Sequence, residues 1–221
     1  MCGRYTWTAS NIGKFKKLVK EPEHPEEPNY NRAPGQYHPS ISSHSGTFQW
    51  HSMLWGNPKS GSTANDFFPI NARSETVLEK PIFRESFLEN RCLIPADGWF
   101  EWQVIEGQKY PHHIYSESGE DFAFAGIWKS INQKMVFSVL TCSAASNILH
   151  IHHRAPLALR ENAWNAWLAK KKDEASLHSL TKSVQPLWKA NQVSTRVNSS
   201  LNNGPELLRP DSGKQSLLFE G

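Results

Sequence analysis

Cysteine is scarce. Cys2, Cys92 and Cys142 are the only three in 221 residues, and no Cys-x-x-Cys pair occurs. That spacing excludes a disulfide framework and points to a reducing, cytoplasmic setting, with Cys92 and Cys142 expected to be buried, inert thiols. Long apolar runs are missing too. The longest, residues 122–128, has seven residues, against about 20 for a membrane-spanning helix. The start, MCGRYT, has no basic-then-apolar pattern, so no secretory signal is read there. Charge of one sign is nearly absent: 24 Lys+Arg against 21 Asp+Glu leave +3. Bulk electrostatics therefore cannot select a polyanionic partner, and any nucleic-acid site must concentrate its cations locally. No repeat with a period of about 20–50 residues is visible.

What is present fits one domain, at roughly 100–200 residues per domain. Residues 8–20 place Ile12, Phe15, Leu18 and Val19 on one helical face, with Ser10 as N-cap. Residues 161–172 set Trp164, Trp167 and Leu168 at helical spacing, and Leu177, Leu180 and Val184 continue that pattern. Between them lie strand-like runs at 98–105, 110–116, 122–129 and 135–142, joined by short Gly-containing turns. The stretches 21–28, 40–47 and 59–64 read as exposed loops from their Pro, Ser and Gly content. The fold class is α+β: a single compact domain with a mainly antiparallel, β-barrel-like core and flanking helices. From Leu201 the chain is rich in Asn, Gly, Pro and Ser, which marks a domain of 1–203 and a flexible tail of 204–221.

Cys2 is the first candidate for chemistry. With Met1 removed it would carry an α-amine, with a pKa near ~7.7–8.0, beside a thiol near ~8.5. Such a pair can trap one aldehyde twice. The amine forms a Schiff base, and the sulfur then closes a five-membered ring with the advantage of an intramolecular reaction. Four further segments accompany it: Asn31-Arg32-Ala33-Pro34-Gly35, Ile70-Asn71-Ala72-Arg73-Ser74-Glu75-Thr76, Pro95-Ala96-Asp97-Gly98-Trp99-Phe100-Glu101-Trp102 and Ile151-His152-His153-Arg154-Ala155-Pro156. In this order and spacing, over residues 1–203, they resemble the SOS-response-associated peptidase family of abasic-site processing proteins.

The resemblance implies covalent capture of abasic sites in single-stranded DNA. The initiator methionine is removed autocatalytically, and the exposed cysteine forms a reversible thiazolidine with the open-chain sugar aldehyde. By the same resemblance Cys2 is the nucleophile and Asn71 positions the terminal amine and the sugar. Glu101 transfers protons, and His152 assists sugar opening and reversal. DNA contacts fall on Gly3, Arg4, Asn31, Pro34, Arg73, Thr141 and Arg154. No cofactor or metal is implied. A monomer in the cytoplasm, at the nucleoid in a bacterium, is expected.

Read without the resemblance, these residues have plainer alternatives. Asn71 suits a turn. Glu101 sits in an alternating strand, although its neighbours Trp99, Phe100 and Trp102 favour burial and a raised pKa. His152 has His150 and His153 beside it. The chain also departs from the family pattern. After Trp55-Gly56 no tryptophan pair precedes Asn71, and Phe67 and Phe68 stand there either as base-stacking groups or as core residues entering a strand. At the C-terminus, QSLLF resembles the peptide by which bacterial repair proteins bind the β sliding clamp, with Gln215, Leu218 and Phe219 as its contacts. Three other functions remain open: an N-terminal-nucleophile amidohydrolase using Cys2, a metal-dependent hydrolase using His112, His113, His150, His152 and His153, and a DNA-binding module without chemistry.

Overall fold

A computed structural model describes residues 2–8, 12–20, 27–44, 46–57, 67–170 and 173–211. Its centre is β9 (Phe122–Ile131), whose first six residues are all buried, as expected of a strand covered on both faces. Before it in the chain come β1 (Tyr5–Trp7), β2 (Asn29–Arg32), β3 (Tyr37–His44), β4 (Thr47–Trp55) and β5 (Asn71–Arg73). There follow α1 (Pro81–Glu89), β6 (Arg91–Ala96), β7 (Gly98–Ile105) and β8 (Gln108–Ser116). After β9 come β10 (Lys134–Ser143), β11 (Arg154–Pro156), β12 (Ala158–Arg160), α2 (Glu161–Leu168), α3 (Glu174–Thr181) and β13 (Trp188–Gln192).

β9 pairs with β6 on one side and with β10 on the other, and β10, β4, β3 and β6 complete the circuit. The result is a closed five-stranded barrel, antiparallel except where β10 runs parallel to β4. Closure removes the free edges that an open sheet would expose. A second, antiparallel sheet has the order β13-β8-β7-β1-β2. It shares with the barrel a cluster of buried residues that includes Cys2, Tyr5, Trp55, Trp99, Phe124 and Phe137.

Arg91 fastens the helices to the barrel. Its buried guanidinium donates to the carbonyls of Phe87 (2.8 Å) and Leu88 at the end of α1, and to those of Trp167 (2.8 Å) and Ala169 (2.7 Å) at the end of α2. These are carbonyls that a helix C-terminus leaves without an internal partner, and a cation there also complements both helix dipoles.

Four expectations need correction. Residues 40–44 belong to β3 and Thr47 opens β4, the two strands of a hairpin, in which Ser40 and Ser42 are buried. The N-terminal helix is a 3-10 segment, Ile12–Lys17, with Phe15 and Val19 buried; Ser10 lies outside the described residues. α3 ends at Thr181, so Val184 lies beyond it and is exposed. The tail expected to be free from residue 204 packs on the domain as far as Pro210. A 3-10 turn, Pro205–Leu208, buries Leu207, and Pro210 bridges to Val193. No helix among the described residues is long and apolar enough to cross a membrane.

Candidate active site

The N-terminal strand is the inner member of its sheet, which fixes where Cys2 sits. β1 is flanked by β2 and β7. The backbone N–H of Phe100 donates to the Arg4 carbonyl (3.0 Å), and that of Asp97 donates to the Thr6 carbonyl (2.8 Å). On its other side β7 lies close against β8, where a Cβ on Gly98 would stand 2.6 Å from the Ile114 carbonyl oxygen. Cys2 is 0% exposed. Burial pushes its thiol pKa well up, and the charge of Glu101 adds to the rise.

Asn71 opens β5, which runs parallel to β10. Its Nδ2 donates to the Cys2 carbonyl at 2.8 Å, and its buried Oδ1 has no hydrogen-bond partner among the described residues. The Trp55-Gly56 pair sets this geometry from below. Trp55 Nε1 donates to the Ile70 carbonyl (2.9 Å). Gly56 adopts φ +63°, and a Cβ there would come within 2.5 Å of Ile70 Cγ2. The sequence signal for this role is the glycine that directly follows Trp55, since glycine takes a positive φ without strain.

Glu101 is 2% exposed in the middle of β7. Burial raises its carboxyl pKa to about 7, against the pull of the positive N-terminal amine and a hydrogen bond from it. His152 follows a turn at 146–151 and is half-buried. Its Nδ1 lies 3.0 Å from both the N–H and the carbonyl oxygen of Arg154, so either protonation state finds a partner there. Burial lowers its pKa, helped by the N-terminal amine. Glu101 and His152 line one open cleft of about 460 Å³ together with Trp102, Val104, Lys109 and Asn198. A carboxyl that titrates near neutrality can both give and take a proton, here with an imidazole in the same cleft.

The residues expected to touch DNA are placed unevenly. Arg73 is exposed, and Gly3 and Pro34 are partly exposed. Arg154 makes a bidentate pair with Glu75 (2.6 and 2.8 Å) and donates to the carbonyl of the buried Thr141 (2.7 Å). This pairing lowers the Glu75 pKa. Asn31 is 1% exposed, and its Nδ2 donates to the carbonyls of Val197, Ser199 and Asn202. Arg4 donates to Asn31 Oδ1 (2.9 Å) and to the carbonyls of Val197 (2.8 Å) and Asn198 (3.0 Å). Phe68 is a core residue, edge-on to Phe83 at 5.7 Å, while Phe67 is half-buried. Among the described residues no group of three or more His, Cys, Asp or Glu is placed to hold a metal ion. Gln215, Leu218 and Phe219 lie outside the described residues.

The family model for SOS response associated peptidases (SRAP) matches residues 1–200. Abasic site processing protein YoqW of Bacillus subtilis is 33% identical over 228 residues, covering 94% of this chain and 99% of that protein. YedK of Escherichia coli, likewise named an abasic site processing protein, is 27% identical over 95% of this chain and 100% of its own length. HMCES of Gallus gallus, with the same descriptive name, is 29% identical over 95% of this chain and 78% of its own length. A crystal structure of a Bacteroides thetaiotaomicron protein shares the fold, with a TM-score of 0.78 and 24% identity over 95% of this chain and 100% of that one.

Proposed function

Since the chain belongs to the SOS response associated peptidase family, we propose that it processes abasic sites in DNA. It takes them in single strands and holds each as a reversible thiazolidine on Cys2. The relatives' shared name, abasic site processing protein, supports the substrate. The observation that supports the chemistry is the grouping at Cys2: Glu101, which shares a cleft with His152, acts through its charge on the Cys2 thiol, and Asn71 donates to the Cys2 carbonyl.

With Met1 in place the Cys2 nitrogen is an amide and cannot attack a carbonyl. Autocatalytic hydrolysis of the Met1–Cys2 bond frees the amine, with Glu101 taking a proton from water and giving it to the departing nitrogen. The amine then adds to the aldehyde carbon of the opened sugar. Glu101 protonates the resulting hydroxyl, which leaves as water, and a Schiff base remains. Cys2 Sγ adds to the same carbon, and its proton returns to the Glu101 carboxylate. The balance is one aldehyde and one aminothiol giving one thiazolidine and one water. A buried thiol suits this order. It stays protonated until the Schiff base offers it an electrophile, and ring closure is intramolecular. His152 serves sugar opening and reversal, and Arg73 supplies an exposed cation for the backbone. The C-terminal Gln215, Leu218 and Phe219 would tether the protein to a sliding clamp, which binding of the tail peptide, with and without Leu218→Ala and Phe219→Ala, tests directly.

The test is intact mass before and after incubation with abasic single-stranded DNA. Loss of Met1 and an adduct that survives boiling in detergent are expected, and Cys2→Ala leaves no stable adduct. Glutaminase activity without any adduct would favour the amidohydrolase reading.

A further inference from the structure

Arg4 stands two residues from Cys2, yet its side chain is turned toward a segment almost at the other end of the domain. Three of its hydrogen bonds go to Asn31 Oδ1, the Val197 carbonyl and the Asn198 carbonyl. Asn31, on the adjoining strand β2, spends both amide hydrogens on three carbonyls of the same segment, those of Val197 (3.2 Å), Ser199 (2.9 Å) and Asn202 (3.0 Å). Its side-chain oxygen is taken by Arg4. A side-chain amide has two donors and one acceptor oxygen, so little of Asn31 is left for an outside ligand, and it is buried as well.

The segment so fastened is one wall of the cleft. Asn198 lines it beside Glu101 and His152, and Asn198 Oδ1 accepts from Trp102 Nε1 at 2.8 Å. Beneath it Val197 packs with Phe100 and Val193. One polar knot therefore joins the N-terminal segment at Arg4, the strand that carries Glu101 and the cleft wall at Asn198.

We propose that Arg4 and Asn31 are positioning residues, which tie residues 197–202 to the N-terminal segment and to β2 and so hold the Asn198 wall of the cleft in register with the chain that leads from Cys2 into β1. This rests on the abasic-site reading and deepens it. It gives the two residues a part in the rate of capture instead of a grip on DNA phosphate.

The experiment compares Arg4→Gln, Arg4→Ala and Asn31→Ala with the wild type on two substrates, an abasic single strand and the same strand with every base present. Misplacing reacting groups by about 1 Å costs up to roughly a hundredfold in rate. Capture at saturating abasic DNA is therefore expected to slow between roughly tenfold and a hundredfold in Asn31→Ala and Arg4→Ala. Arg4→Gln, which keeps a donor for the Val197 carbonyl, recovers part of the loss. Affinity for the intact strand stays within about twofold, and its dependence on salt is unchanged. Backbone amides of 195–202 exchange faster with solvent in Asn31→Ala, a readout that needs no capture at all. A phosphate grip gives the opposite pattern: Arg4→Gln lowers the slope of log affinity against log salt by about 0.7 for a single strand and leaves the saturated rate alone. That result, or unchanged exchange at 195–202, overturns the proposal. Failure of the wild type to form any adduct would instead remove the abasic-site reading, and the exchange measurement would still decide the brace.

Discussion

Replacing Glu101 by glutamine is expected to give a protein that is more stable and cannot capture its substrate. The carboxyl binds its proton more tightly in the folded state, at about 7, than the ordinary 4.5, because burial disfavours its charged form. The folded state therefore holds more protons than the unfolded one between those two values, and stability falls as pH rises through that window. At pH 8 the full cost is present, about 3 kcal/mol. Glutamine has nearly the same shape and carries no charge to desolvate. At pH 8 Glu101→Gln should melt roughly 6–12 °C above the wild type, and below about pH 4.5 the two should coincide. Thermal unfolding across pH 4 to 8 measures this, alongside an adduct assay in which the variant is inert. A stability gap of the same size at both ends of the range, or a variant less stable at pH 8, would refute the account of a carboxylate held charged against its surroundings.

Arg91→Met leaves four helix-end carbonyls without their cation and should cost at least about 3 kcal/mol in urea unfolding, since each unsatisfied buried acceptor costs roughly 1–3 kcal/mol. Gly98→Ala forces a methyl against the Ile114 carbonyl oxygen and should destabilise by about 1–3 kcal/mol in the same assay. His38 is fully buried between the Ala33 carbonyl (2.9 Å) and Arg32 (3.2 Å), and burial lowers its pKa to about 3. Burial likewise brings His113 to about 4. Ring signals in NMR should keep both neutral through pH 5, whereas titration of either near 6.5 would contradict the packing.

The four strands from 98 to 142 were legible because their pattern is local. Apolar runs bounded by Glu106-Gly107 and Ser118-Gly119 need no distant partner to be recognised, and β7 spans 98–105 as read. The β3–β4 hairpin was hidden by its composition. Ser40 and Ser42 look like loop residues, yet they face the barrel, where a small hydroxyl fits. The parallel contact of β10 with β4 and β5, which closes the barrel and delivers Asn71, joins segments with no short-range signal. At the site, the grouping of Glu101 with His152 followed from motif resemblance, and the burial of Glu101 from its aromatic neighbours. What escaped the sequence was the direction of side chains. Nothing in the residue order says that Arg4 and Asn31 turn toward Val197 and Ser199 rather than outward.

The length of that reach has a consequence for synthesis. The Arg4 bonds span 193 and 194 residues of chain, and β7, which flanks the terminus, comes some ninety positions after β1. On a ribosome the residues around Cys2 emerge first, but the segments that pack around them are translated later, the last of them more than 190 residues on. A growing polypeptide therefore carries its cysteine bare of acid, imidazole and wall. The surroundings of Cys2 are therefore complete only once Val197 and Asn198 have been made and have folded back onto Arg4.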